Sequence, residues 1–369
     1  MTSIYLIRHA EAEGNLYRIA QGQYDSILTD RGWRQVRALE ERFAGVSIDA
    51  VYASDLYRTC ATAGAVCKPR GLPLHRRRDL REICVGDWEQ RTWGEICRRD
   101  PEQMENFSHH FTRWHAPGAE TAAQVRDRMC AALREIIAEN EGKTVAVFSH
   151  GYAIRVLLAT LQGLTLEQAG ETPHGDNTAV SLLEAADGAV RVVYRDDNRH
   201  LQIPAFLAGE KVHRRATALE PGLWFAPLRP AEQGAFLAAC AAEAWADAAE
   251  DRPFDPGHLL ADAATRRTLV GYLQEEPVGV VQLGPEPGWI SLACIRRGRR
   301  GRGFGVQLIG QAVQHTRPLG GGALRVALPE RCPSRRFFQE YGFAPAGQTA
   351  EGREVLEKDI GFHREFLGE

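Results

Sequence analysis

No two cysteines in this chain are spaced as Cys-x-x-Cys. The eight cysteines stand at 60, 67, 84, 97, 130, 240, 294 and 332, with no pair of pairs suited to zinc. That excludes a zinc-ribbon class and argues against a disulfide framework. Several lie in apolar helical surroundings and read as reduced core residues. An apolar run of transmembrane length is also lacking, and the first ten residues have no signal-peptide core with a cleavage site. The expected location is the cytoplasm, with no membrane partner. Positive charge is not in excess either: residues 1–200 carry 25 basic and 28 acidic side chains, and the remainder carries 20 of each. A nucleic-acid partner is therefore not expected. No acidic cluster has the character of a metal cage. The histidines at 109, 110 and 115 have a spacing that fits no standard ligand set, and they read as part of an irregular exposed stretch over 95–119.

What is present is length and order. With 369 residues the chain suits two domains. Ile4-Tyr5-Leu6-Ile7 is an apolar run too short for a helix and reads as a buried strand. It ends on Arg8-His9. At the carboxyl end of a strand in an open α/β sheet, such side chains project into the ligand crevice. An arginine offers a fork of donors to phosphate, and a neighbouring histidine can act as nucleophile or proton carrier. Thr29 precedes an amphipathic helix pattern carrying Trp33, Val36, Leu39 and Phe43. Val51 to Ser54 is a short strand running into a helix start at Asp55-Leu56-Tyr57-Arg58, where Arg58 falls in the first turn. Leu80-Arg81-Glu82 follows three arginines. A long helix pattern covers 120–140. Thr144 to Phe148 is a second apolar strand, again ending on a histidine, in Ser149-His150-Gly151, and a helix over 152–162 follows. Later strands are expected at 177–183 and 190–194. Strand–helix alternation with reactive groups at one edge is the α/β pattern.

Arg8, His9, Arg58, Glu82 and His150 have one coherent use. His9 attacks phosphorus in line, Glu82 protonates the leaving oxygen, and two arginines and a second histidine neutralise the phosphoryl group. This scheme requires no metal.

These motifs carry a resemblance. Arg8-His9-Ala10-Glu11 with Asn15, Ser54-Asp55-Leu56-Tyr57-Arg58, Leu80-Arg81-Glu82, Pro117-Gly118-Ala119-Glu120, Ser149-His150-Gly151 and Asn177-Thr178 resemble the ordered motifs of the histidine phosphatase (phosphoglycerate mutase-like) superfamily over about residues 1–204. The resemblance implies a three-layer α/β/α domain with a mostly parallel sheet and a phosphohistidine on His9. It also implies phosphoryl binding by Arg8, Asn15, Arg58, His150 and Gly151. Ala10 stands where a glycine is usual. The Gln21-Gly22 loop looks more like the small phosphatases than the glycolytic mutases, which implies hydrolysis of a small phosphorylated metabolite. A mutase acting on a sugar acid is the alternative.

The character changes over 205–221. The expected domains are 1–206 and 222–369, joined by a linker at 207–221. In the second half, Trp224 to Leu228 reads as a strand, 232–249 as an alanine-rich helix, and 268–283 as two strands split at Glu275-Glu276-Pro277. A further strand is expected at 288–295. Arg296 to Gly305 then holds six arginines or phenylalanines among four glycines, followed by an apolar-periodic helix over 306–315. The glycines let backbone approach a ligand, the helix start offers N–H groups to a pyrophosphate, and the arginines add attraction. Arg300-Gly301-Arg302-Gly303-Phe304-Gly305 between strand and helix resembles the acetyl-CoA loop of the GNAT-type N-acetyltransferases, over about 222–369. A strand at 323–328, a helix at 334–341 and Tyr341-Gly342-Phe343 follow in that family's order. The resemblance implies a smaller α+β acyltransferase domain using acetyl-CoA. The cofactor is expected on the backbone of Cys294 and Ile295 and on the loop 300–305, and an amine is the acceptor. Phe338 occupies the usual tyrosine position and Cys332 the usual asparagine position. Tyr341 is displaced by about 60° on an ideal helix. The alternative is an acetyl-CoA-binding module without catalysis.

Overall fold

Ile4-Tyr5-Leu6-Ile7 lies in a strand, β1 (Thr2–Arg8), whose alternate side chains enter two different cores. Ile4 and Leu6 pack with Val145, Val147, Met129 and Val156, while Ile7 packs with Leu39, Ala53, Ala61 and Phe148. A strand buried on both faces is what a continuous apolar run produces in a largely parallel sheet. The computed structural model describes residues 1–208, 222–248, 257–329 and 332–366.

The first sheet contains β1, β2 (Ala50–Ser54), β3 (Leu74–Arg77), β4 (Thr144–Ser149), β5 (Val180–Ala186) and β6 (Ala189–Asp197). Its order is β3-β2-β4-β1-β5-β6. The first four run parallel, and β5 and β6 add antiparallel. Helices Asp30–Phe43 and Tyr57–Cys67 cover one face, and Ala122–Glu139 and Gly151–Leu161 the other. This is the expected three-layer domain. Thr29 caps Asp30–Phe43 by accepting from the Gly32 N–H, and Thr121 forms a capping box with Gln124.

The second sheet holds β7 (Trp224–Pro227), β8 (Thr268–Leu273), β9 (Glu276–Leu283), β10 (Trp289–Ile295), β11 (Ala323–Leu328), β12 (Ala344–Gln348) and β13 (Glu354–Asp359). Its order is β12-β13-β11-β10-β9-β8-β7. β10 and β11 pair in parallel only at Trp289 and Ile290, and then diverge. Helix Gly305–Thr316 packs on this sheet through Val306, Leu308, Ile309, Ala312 and Val313.

Three expectations need correction. The stretch 95–119 is not irregular throughout: helices cover Trp93–Arg99 and Pro101–His109. Asn177 to Ala179 are not strand, because Thr178 has φ +63° and β5 begins only at Val180. The segment that opens the expected linker is ordered at its start, as helix Pro204–Ala208, with Phe206 buried against Ala38 and Leu201. Positions 209–221 of that linker lie outside the described residues.

The two sheets share buried contacts. Tyr17 and Ile19 of the first half belong to the same apolar cluster as Leu223, Leu308 and Ile309. Gly310 lies so close to Tyr17 that a Cβ there would stand 2.6 Å from the Tyr17 Cβ. No described helix is long and apolar enough to cross a membrane.

Candidate active site

Each of the four parallel strands delivers a polar group to one end of the first sheet. β1 ends on Arg8 and leads directly to His9, and its neighbour β4 ends on Ser149 and leads to His150. The register pairs Arg8 with Ser149, and the His9 N–H donates to Ser149 O at 3.0 Å. The two imidazoles therefore meet, with ring centroids 5.2 Å apart. β2 feeds helix Tyr57–Cys67, which carries Arg58 in its first turn, and β3 leads through a turn to Glu82. This is the crevice at the carboxyl ends of strands.

His9 is 3% exposed, Arg58 1% and His150 0%. The His9 Nδ1 bonds Ala10 O at 2.7 Å, which makes Nδ1 the protonated nitrogen and leaves Nε2 with its lone pair. Burial, then the charges of Arg58 and Arg8, hold its pKa well below 6.5. His150 is held well below 6.5 by the same burial and by Arg58. Both rings are neutral at pH 7. Neither nitrogen of His150 has a protein partner, nor does Nε of Arg8 or of Arg58. Buried polar atoms without partners are rare, and four converging in one place point to a polar ligand.

The remaining nitrogens of Arg58 are anchored. Nη1 donates to Tyr24 O at 2.9 Å and Nη2 to Gly22 O at 2.7 Å. Gln21 supports that loop by accepting from the Ser26 hydroxyl. Asn15 Oδ1 accepts from the Ala12 N–H at 3.0 Å and lies 3.5 Å from Asn177 Nδ2. Gly151 starts helix Gly151–Leu161. A Cβ there would meet His174 Cε1 at 2.8 Å and Arg8 Cζ at 3.2 Å, so this close approach requires glycine. Glu82 is held by the start of the same helix: Oε2 accepts from Tyr152 N–H at 3.0 Å, and Oε1 from Ala153 N–H at 2.9 Å and Ile83 N–H at 3.0 Å. These three bonds fix the direction of the carboxylate.

Sequence reasoning missed several residues here. Arg8 Nη1 donates to His174 Nδ1 at 3.0 Å, and that charge pushes the His174 imidazole down to about 3. His200 accepts from Arg42 at 3.1 Å and, through Nε2, bonds Thr178 Oγ1 at 2.9 Å, directly behind His9. Arg128 ties Glu120 to the carbonyls of Arg81 and Glu82. None of these carries a local signal, since each acts through a contact distant in sequence. His109, His110 and His115 form no metal group, and no such group exists among the described residues.

The second half offers a different shape. Beyond Ile290, β10 keeps β9 but loses β11, leaving a wedge with Cys294 and Ile295 on its edge. Gly301 and Gly303 follow at φ +72° and +80°, with open space where a Cβ would point, and helix Gly305–Thr316 begins at once. Cys294, Ile295, Arg300, Gly301, Gly303, Phe304 and Gly305 line one cavity of about 2090 Å³, which Glu11, Asn15, Arg31 and Asn177 of the first half also line. The arginines are not the open anion patch expected: Arg296 pairs with Glu243, Arg297 and Arg300 with Asp247, and Arg299 with Glu276. Arg300 Nε also donates to Ile295 O at 2.7 Å, so that carbonyl has a partner within the protein. Arg302 lies 5.4 Å over the Phe304 ring and off the cavity wall. Phe338 is buried against Phe337 and Phe343, whereas Tyr341 lines the cavity.

Comparison with known proteins divides the chain the same way. The family model described as histidine phosphatase superfamily (branch 1) matches residues 4–198, and that of the acetyltransferase (GNAT) family matches 235–343. A probable phosphoglycerate mutase GpmB from Proteus mirabilis is 34% identical over 164 residues, covering 44% of this chain and 76% of its own. The Serratia proteamaculans protein of the same name is 32% identical over the same shares. Among solved structures, YhfR of Bacillus stearothermophilus is 31% identical with a TM-score of 0.53, covering 55% of this chain and all of its own. A mycobacterial glucosyl-3-phosphoglycerate phosphatase, at 24% identity and a TM-score of 0.50, covers 53% of this chain and 99% of its own and shares the fold.

Proposed function

The chain belongs, through residues 4–198, to the histidine phosphatase superfamily (branch 1), and from that premise we propose that its first half hydrolyses phosphomonoesters through a phosphohistidine on His9. The second half, we propose, transfers an acetyl group from acetyl-CoA to an amine. The observation that carries the first reading is the convergence of two buried neutral imidazoles with partnerless nitrogens of His150, Arg8 and Arg58.

Nε2 of His9 attacks phosphorus as the ester oxygen leaves, with Nδ1–H held by Ala10 O. Arg8, Arg58, His150, Asn15 and the Gly151 amide take the phosphoryl oxygens. These groups neutralise the charge that develops in transfer. Glu82 gives a proton to the leaving oxygen and later takes one from the water that cleaves the phosphohistidine. The substrate is a small phosphorylated metabolite.

Acetyl-CoA, when bound, supplies an activated thioester. The wedge edge at Cys294, the glycines 301 and 303 and the first N–H groups of helix Gly305–Thr316 suit its pantetheine and pyrophosphate. Tyr341 lines the cavity, and in this reading it gives a proton to the leaving thiolate. Its proton affinity is raised by burial and by Glu340 and Glu11.

The resemblance to the GpmB proteins supports a second reading, phosphoglycerate isomerisation. Phosphate release from p-nitrophenyl phosphate and a metabolite panel, run beside a mutase assay, separates the two. His9→Ala should abolish phosphate release and the acid-labile, alkali-stable labelling of the phosphoenzyme while acetyl-CoA affinity stays intact. Turnover surviving at more than a few per cent in that variant removes His9 from the nucleophile's role.

A further inference from the structure

Arg317 ends the run begun by helix Gly305–Thr316, at the far end from the proposed cofactor loop. Its guanidinium reaches into the first half and grips Glu13 with two parallel bonds, Nη1 to Oε2 and Nη2 to Oε1, each 3.0 Å. The side chains are only 14% and 6% exposed. Nε and Nη2 also donate to Ile360 O at 3.0 and 2.7 Å. Two-pronged arginine–carboxylate pairs fix orientation as well as distance.

What Arg317 holds is the frame of Arg58. Glu13 N–H donates to Ile27 O at 3.1 Å, and Glu13 Oε2 accepts from the Ile27 N–H at 3.4 Å. Ile27 closes the loop whose carbonyls at Gly22 and Tyr24 take both Nη atoms of Arg58. With those nitrogens committed, the loop sets the direction of the guanidinium. A second route runs alongside: Phe362 packs edge-on against Tyr57 at 5.3 Å, and Arg317 lies 4.9 Å over the Phe362 ring. Tyr57 adjoins Arg58, and its N–H donates to Asp25 in the same loop at 2.9 Å.

We propose that Arg317 is a positioning residue for phosphoryl transfer: from the second half it fixes the loop 21–27 that aims Arg58, so the phosphatase site is complete only with the two halves docked. The inference rests on the phosphatase reading above.

The test uses the full chain and three variants: Arg317→Met, Arg317→Lys, and Arg317→Met combined with Glu13→Gln. Hydrolysis of p-nitrophenyl phosphate, inhibition by inorganic phosphate and the melting temperature are measured for each. Removing one partner strands a buried charge, whereas removing both does not. The double variant is therefore expected to melt near the wild type, yet to bind phosphate and turn over about tenfold less well. Lysine, with charge but no fork, falls between. If the double variant matches the wild type in melting, phosphate inhibition and kcat/KM, the pair is a staple only and the proposal fails. Should Arg317→Met not fold, the double and lysine variants decide. A wild-type enzyme that neither hydrolyses nor binds phosphate sinks the phosphatase reading itself, which is a different result from activity that persists in the variants.

Discussion

His9 and His150 show how burial selects a protonation state. Desolvation disfavours an imidazolium, and Arg8 and Arg58 oppose a further positive charge, so both pKa values fall well below 6.5. Nε2 of His9, the proposed nucleophile, therefore keeps its lone pair through mild acid. After correction for the ionisation of the substrate, kcat/KM should show no fall near 6.5 that belongs to His9. A fall centred at 6.5 that belongs to the free enzyme would show an ordinary imidazole. The same depression has a consequence for stability. Below 6.5 the unfolded chain takes up protons that the folded chain refuses, so stability is lost as pH falls, with a slope approaching about 1.4 kcal/mol per pH unit for each such histidine. His200, pushed down to about 4 by burial and Arg42, loses stability across the window from 6.5 to about 4. Melting temperatures at pH 7 and 5 should differ less in His200→Gln than in the wild type. Arg8, His9, Arg58 and His150 were legible in the sequence because each stands at a strand end or helix start; Glu82, past a turn after β3, was picked out only with its neighbours Leu80 and Arg81. His174, His200 and Arg317 were not, because nothing local distinguishes a histidine that rests on Arg8 from one that meets water.

Elements were legible where period and length agreed. The apolar strands β1 and β4, the helix after Thr29 and the strand Ala323–Leu328 lie where the pattern put them. Failures came where local chemistry was overridden. Thr92 caps Trp93–Arg99 by accepting from Glu95 N–H at 3.1 Å, and Pro101 opens the next helix. Those start signals were drowned by the polar and aromatic residues around them. At Thr178 the apolar run continues, but positive φ delays the strand. The Arg-rich loop failed in another way: its arginines are matched by Glu243 and Asp247 of helix Pro230–Ala248, a pairing that composition cannot show. Geometry then does more than charge at the proposed cofactor site. Gly303, at φ +80°, is a position where any side chain is strained, and a carboxylate adds repulsion to a pyrophosphate. Gly303→Glu should weaken acetyl-CoA binding by about a hundredfold or more, and Gly303→Ala by less. Unchanged affinity in titration calorimetry for both would move the pyrophosphate away from this loop.

At the scale of the whole molecule, the division into two families does not coincide with a division into two cores. Tyr17 and Ile19 come from the first half, yet they pack among Leu308, Ile309 and Leu223. Arg98 pairs with Glu275 and lies 4.2 Å over the Trp224 ring, while Gln314 donates to Gln90 O at 2.6 Å. The sequence reading placed a boundary near 207–221 from composition, and composition says nothing of contacts made across it. Elements that share buried apolar surface unfold together unless the shared part is small. The test is at Gly310, where a Cβ would press within 2.6 Å of Tyr17. Overpacking of this kind costs about 1–3 kcal/mol, so Gly310→Val should lower the melting temperature by several degrees. Because the strain falls on the seam, it should lower phosphate release as well, although Gly310 touches no phosphoryl ligand. Calorimetry should give one transition in the wild type, moved as a whole by the substitution. Two wild-type transitions, only one of them shifted by Gly310→Val, would mean that the halves are stable separately and that the seam joins finished domains.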